Sequence, residues 1–176
     1  MRLESEDYLD QPADVVYPLV RDEMSKILPY LPDIEKIVQT KYERLDDDTV
    51  EIINHWYGKA EIPSFAKKFV KPELMSWKDY ATWHDSRYCV EYRLESFLGN
   101  DIFDAVGTNY FEPAGEGRTR IRVTTTVEIH ADRVPGVPRL LAGRVKPMVE
   151  DLIRKMLEPN LTSLAKGLQG YFDSLK

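Results

Sequence analysis

The chain has 176 residues, 43% of them hydrophobic, with a net charge of −6 and a single cysteine, Cys89. That length predicts one domain over residues 1–176, able to bury about 70% of its unfolded-chain surface without staples. One cysteine excludes an intrachain disulfide, the acidic balance argues against nucleic acid as a partner, and no apolar run approaches the ~20 residues of a bilayer span. With no N-terminal run ordered like a signal peptide, a reducing, cytoplasmic setting is expected.

Residues 2–9 alternate loosely and read as a first strand. Asp10 as a cap and Pro12 in the first turn open a helix over 13–20, expected to bury Val15, Val16, Leu19 and Val20. A second short helix over 24–31 is stopped by Pro29 and Pro32. Strands follow at 37–45 and 49–57, around an acidic turn at Asp46-Asp47-Asp48, and then at 75–84, 88–95, 102–112 and 119–130. Asp85-Ser86, Gly99-Asn100-Asp101 and Gly115-Glu116-Gly117 punctuate them. The last strand puts Ile121, Val123, Thr125, Val127 and Ile129 on one face, and charged or hydroxylated residues on the other.

A long helix over 147–172 closes the chain, with Met148, Val149, Leu152, Met156, Leu164, Leu168 and Phe172 on one stripe and a kink expected at Pro159. Seven strands before one long amphipathic helix predict an α+β fold: a curved antiparallel sheet wrapped around that helix, with two short helices after the first strand. Such a sheet encloses a cavity instead of a solid core.

This succession resembles the helix-grip fold of the START-like superfamily (SRPBCC), which includes the birch-pollen-allergen and polyketide-cyclase families. The resemblance is carried by Leu9-Asp10-Gln11-Pro12-Ala13-Asp14-Val15-Val16-Tyr17-Pro18-Leu19-Val20, by Leu31-Pro32-Asp33-Ile34, and by Glu158-Pro159-Asn160-Leu161 through Leu168. It covers essentially the whole chain. A narrower likeness, over Ile62-Pro63-Ser64-Phe65-Ala66-Lys67-Lys68-Phe69-Val70, is to the lid region of the phospholipid-shuttling branch found in mitochondria. The superfamily hosts carriers, receptors, cyclases and oxygenase domains, so the resemblance implies a ligand cavity without choosing a function.

Strand parity brings Trp77, Asp79, Ala81 and Trp83 to one face of the fourth strand, and Tyr88, Val90, Tyr92 and Leu94 to one face of the fifth. The aromatics among them either line a cavity or fill an ordinary core. Asn54, Trp56 and Asn109 are candidates to join a lining, and Met148, Leu152 and Met156 would face it from the last helix. Asp79 marks either the polar end of a cavity or a partly wet strand face, and the wet face is the expectation. His55, His84 and His130 fall at outward positions without ligand spacing, so no metal is expected. No nucleophile elbow, phosphate loop or dinucleotide fingerprint appears, hence no cofactor. Parity turns Cys89 away from the aromatic face.

Residues 62–72 carry Lys67, Lys68 and Lys71, and residues 133–146 carry Arg133, Arg139, Arg144 and Lys146, with no acid in either segment. Set against the net −6, these seven cations leave −13 on the remainder. Phe65, Phe69 and Leu140 interleave with them, a composition suited to a cavity mouth or to transient contact with an anionic membrane. The leading expectation is a non-catalytic binder or carrier of a lipid or other large hydrophobic molecule. The alternatives are a polyketide cyclase or aromatase using Tyr88, Tyr92 or Asp79 as acid or base, and a protein-binding module.

Overall fold

A computed structural model describes residues 1–59, 76–96, 103–130, 133, 140 and 142–176. The elements run β1 (Arg2–Leu9), α1 (Ala13–Asp22), α2 (Met24–Ile27), β2 (Ile34–Arg44), β3 (Thr49–Gly58), β4 (Ser76–His84), β5 (Cys89–Ser96), β6 (Phe103–Pro113), β7 (Thr119–Ile129) and α3 (Ala142–Asp173). The strands form one antiparallel sheet in the order β1-β7-β6-β5-β4-β3-β2. The fold is α+β, with the long helix packed on the inner face against β1 and β7.

β7 shows why the sheet has an inside. Thr119, Ile121, Val123, Thr125, Val127 and Ile129 are buried, while the residues between them are half-buried or exposed. The core takes Val16, Tyr17, Leu19 and Val20 from α1, Ile27 and Leu31 from the helical hairpin, and Ala165, Leu168 and Phe172 from α3. Val15, expected inside, is exposed, and Tyr17 takes the buried place. Pro12 occupies the cap position of α1 without a side-chain hydrogen bond, and Asp10 instead accepts a 2.9 Å bond from Arg118 Nε.

The second helix is shorter than expected. α2 ends at Ile27 and the chain tightens into a 3-10 turn, Leu28–Tyr30, because Pro29 cannot continue the α-helical ladder. α3 starts five residues earlier than predicted and runs unbroken through Pro147 and Pro159. Its close seat on the hairpin depends on missing side chains: a Cβ at Gly167 would come within 2.7 Å of Leu31 Cδ2, and one at Gly170 within 3.0 Å of the Tyr30 ring. No helix among the described residues is long and apolar enough to cross a membrane.

Candidate ligand pocket beneath the long helix

The sheet register decides which side chains meet. Three cross-strand rows lie on the inner face of the central strands. Asn54, Asp79, Leu94 and Ala105 form one; Ile52, Ala81, Tyr92, Gly107 and Thr125 the next; Val50, Trp83, Val90, Asn109 and Val123 the third. Trp56 opposite Trp77 extends the set toward the far end of β3 and β4. Same-face neighbours on paired strands lie about 5 Å apart, so these residues converge although residues as distant in sequence as Val50 and Val123 take part.

Most of them border a pocket of about 190 Å³, roofed by Val20, Arg21 and Met24 from the helical hairpin and by Ser163 and Leu164 from α3. Its walls include Asn54, Trp56, Trp77, Trp83, Tyr92 and Asn109, six of the residues that parity nominated. The volume falls short of the several hundred Å³ typical of a drug-sized site. A larger but open and polar concavity, about 640 Å³, lies on the opposite, outer face between Tyr80, Glu91, Arg93 and Thr108. Being unenclosed and unroofed, it desolvates a ligand far less.

Trp56 and Trp77 stack nearly parallel, 8° apart with centroids at 6.0 Å. Tyr92 crosses the sheet: its hydroxyl meets Thr125 Oγ1 at 2.6 Å, two strands away. Gly107 between them makes this reach feasible, because a Cβ there would sit 2.4 Å from the Tyr92 ring and from the Thr124 carbonyl oxygen. Burial pushes the Tyr92 phenol up to about 12, against a lowering hydrogen bond from Thr125, so it stays neutral.

Asp79 is half-buried, in keeping with a partly wet strand face, but its carboxyl is drawn inward: Oδ2 accepts a 3.2 Å hydrogen bond from Trp56 Nε1, while Oδ1 is buried and has no partner among the described residues. Burial pushes its carboxyl up to about 7, and the Trp56 bond offsets only part of that. Trp83 Nε1 and Asn109 Oδ1, also on the pocket wall, are likewise buried and unpaired. Three unsatisfied polar atoms around one apolar recess are uncommon in a native interior.

Tyr88 sits elsewhere. It precedes β5 in the left-handed region, φ 45°, where it returns the chain from the turn Asp85–Arg87, and its ring packs edge-on against Tyr17 with centroids at 5.3 Å. It joins the solid core near α1 and is not among the pocket residues. Met148, Leu152 and Met156 lie on α3, with side chains outside the described residues. Of the proposed mouth, Leu140 and Arg144 are exposed, and Lys146 faces Glu150 at 3.9 Å. Phe65, Lys67, Lys68, Phe69 and Arg139, with the lid-like stretch around them, lie outside the described residues. Cys89 is buried. His84 and His130 face Glu91 and Asp104 at 3.9 and 2.9 Å.

The sequence also left residues of this region unrecognised. Arg21 lines the pocket while bonding Asp22 and Asp85, and Asp85 further accepts from Tyr17 at 3.1 Å and from Arg44 at 3.2 Å. Thr125 and Gly107 had signals: a hydroxyl inside an otherwise apolar stripe, and a glycine inside a strand.

Solved structures share this fold. A protein from Thermus thermophilus superposes with a TM-score of 0.68 at 21% identity, covering 100% of this chain and 99% of its own. The Zhui aromatase/cyclase of a Streptomyces species gives 0.60 at 15% identity, over 94% and 91%. A START superfamily protein from Mycobacterium smegmatis gives 0.57 at 17% identity, over 99% of each chain. The fold is the START-like helix grip. No family model matches the chain, and no curated protein matches it. At these identities the helix grip is what is shared, and the fold alone does not choose a function.

Proposed function

We propose that this START-like protein binds a small hydrophobic, ring-containing molecule in the pocket between its sheet and its long helix. The observation that supports this reading is the pairing of an apolar aromatic wall, formed by Trp56, Trp77, Trp83 and Tyr92, with three buried polar atoms that no described residue satisfies. A filled core would leave neither the space nor the unmet hydrogen bonds. A volume of about 190 Å³ favours a compact ligand over a two-chain lipid. Loading from an anionic membrane through the basic-apolar segments, with Leu140 and Arg144 at the foot of α3, belongs to the same proposal.

Titration with naphthalene-sized probes should change tryptophan fluorescence in the wild type and much less in Trp77→Leu. Native mass spectrometry of the purified protein should find a small apolar adduct. No response to any probe, together with an adduct-free spectrum, would return the aromatics to a packing role. Acid–base catalysis is the second reading, favoured by one observation: a buried carboxyl, Asp79, that titrates near neutrality. Turnover of a bound ligand that Asp79→Asn abolishes would establish it.

A further inference from the structure

The surroundings of Asp79 define the polar group that a pocket ligand must carry, given the binding role proposed above. On its own strand the inner-face neighbours are Trp77 and Ala81, and across the sheet they are Asn54 and Leu94. Among the described lining residues only Tyr92, from β5, and Arg21, from α1, are also titratable. Tyr92 is committed to Thr125, and the Arg21 guanidinium is turned to Asp22 and Asp85. Neither supplies Asp79 with a counter-ion.

A desolvated carboxyl whose one partner is an indole N–H keeps its proton into the neutral range. The oxygen that accepts from Trp56 is Oδ2, so the proton resides on Oδ1, which has no acceptor. A buried O–H without an acceptor costs about as much as a lost hydrogen bond, and a ligand oxygen removes that cost. Trp83 and Asn109, in the third row, lie four positions further along the strands, with backbones roughly 13 Å away.

We infer that Asp79 is the pocket's hydrogen-bond donor, its neutral carboxyl binding the carbonyl oxygen of an uncharged cyclic ligand through Oδ1. Selection follows from the protonation state. An uncharged ketone gains a bond that its parent hydrocarbon lacks, and it loses that bond once Asp79 ionises, because a carboxylate only accepts.

Three matched probes test this: tetralin, 1-tetralone and 1-aminotetralin, titrated by calorimetry or tryptophan fluorescence at about pH 5.5 and about pH 8.5, on either side of the carboxyl's transition. In wild type the ketone should bind about tenfold tighter than tetralin at the lower pH, and the preference should vanish at the higher. Asp79→Asn, which still accepts from Trp56 and presents an N–H, should keep the preference at both pH values; Asp79→Leu should abolish it at both. The carboxyl infrared band of the wild type gives a second measure. A protonated-carboxyl band that disappears near neutrality and shifts on ketone binding supports the inference even if a variant fails to fold. Equal affinity for ketone and hydrocarbon at low pH overturns it while leaving the binding role intact. Preference for the ammonium probe at high pH overturns it in favour of Asp79 as a counter-ion. Failure of all three probes overturns both the inference and the binding role.

Discussion

At the α1 end of the inner sheet face, Tyr17, Trp83, Tyr88 and Phe111 press ring against ring, with centroids 5.3–6.3 Å apart. A few residues along the same strands, Trp56, Trp77 and Tyr92 border open space. Both regions are aromatic, share Trp83 and carry a half-buried aspartate, yet only in the first is that aspartate fully partnered. Tyr17 reaches in from α1 to fill the gap between strands, and its hydroxyl joins Arg21 and Arg44 on Asp85. At the pocket end Asp79 has one indole donor and a free oxygen. Aromatic content therefore does not distinguish a core from a site; what decides is whether a covering element supplies the missing partner.

The largest expected effect separates the two ends by truncation. Phe111 is wholly buried, so Phe111→Ala should cost about 3–5 kcal/mol in denaturant unfolding. Trp77→Ala, already facing space on one side, should cost less than about 2 kcal/mol. Equal losses would mean that the pocket end is as solid as the other.

The two aspartates should give opposite pH slopes. Asp79 is raised from 3.8 to about 7, so between those values the folded state holds a proton that the unfolded state has released. Its contribution to stability therefore falls as pH rises through that window. Asp79→Asn should remove the slope and be roughly 1–3 kcal/mol more stable than wild type at alkaline pH, by urea titration. For Asp85, burial pushes upward, but the hydrogen bonds and charges of Arg21 and Arg44, with Tyr17, outweigh it and hold the carboxyl low. That stability is present at neutral pH and is lost as pH falls through the acid range, so Asp85→Asn should flatten the acid limb of the stability curve. Parallel slopes for the two variants would erase the contrast.

Much of the site was legible because strand parity is a local property. Alternation alone placed Asn54, Trp56, Trp77, Trp83, Tyr92 and Asn109 on inner faces, and the register then brought them together. Parity could not find Tyr88's left-handed turn, which sends its ring beneath α1, nor the Trp56 hydrogen bond that draws the Asp79 carboxyl inward. The Arg21–Asp85 contact joins residues 64 positions apart, and no periodicity encodes it. The start of α3 was misplaced because Pro147 reads as a first-turn residue, whereas five helical residues precede it.

The smallest effect concerns the two basic-apolar segments of the sequence, residues 62–72 and 133–146. Vesicles with anionic lipid should bind the protein weakly, and less as salt rises; Lys67→Glu, Lys68→Glu and Arg139→Glu together should end that binding while the fold persists. Binding indifferent to salt, or unchanged in the triple variant, would detach these segments from loading.

The strand order carries a separate consequence, for behaviour at high concentration. Among the described residues β1 and β2 each pair on one side only, so the sheet presents two open borders that another molecule's strand might otherwise extend. Both are ill suited to accept one. β1 points Arg2, Glu4 and Glu6 outward, and β2 exposes Glu35, Lys36, Glu43 and Arg44 and slips register twice, at Ile34/Lys36 and Gln39/Lys41. An incoming strand would have to align with a ladder that is locally out of step and to desolvate a charge at nearly every second position. The chain thus keeps an open-bordered sheet without inviting the fibrillar stacking to which an uncharged, regular border would be prone.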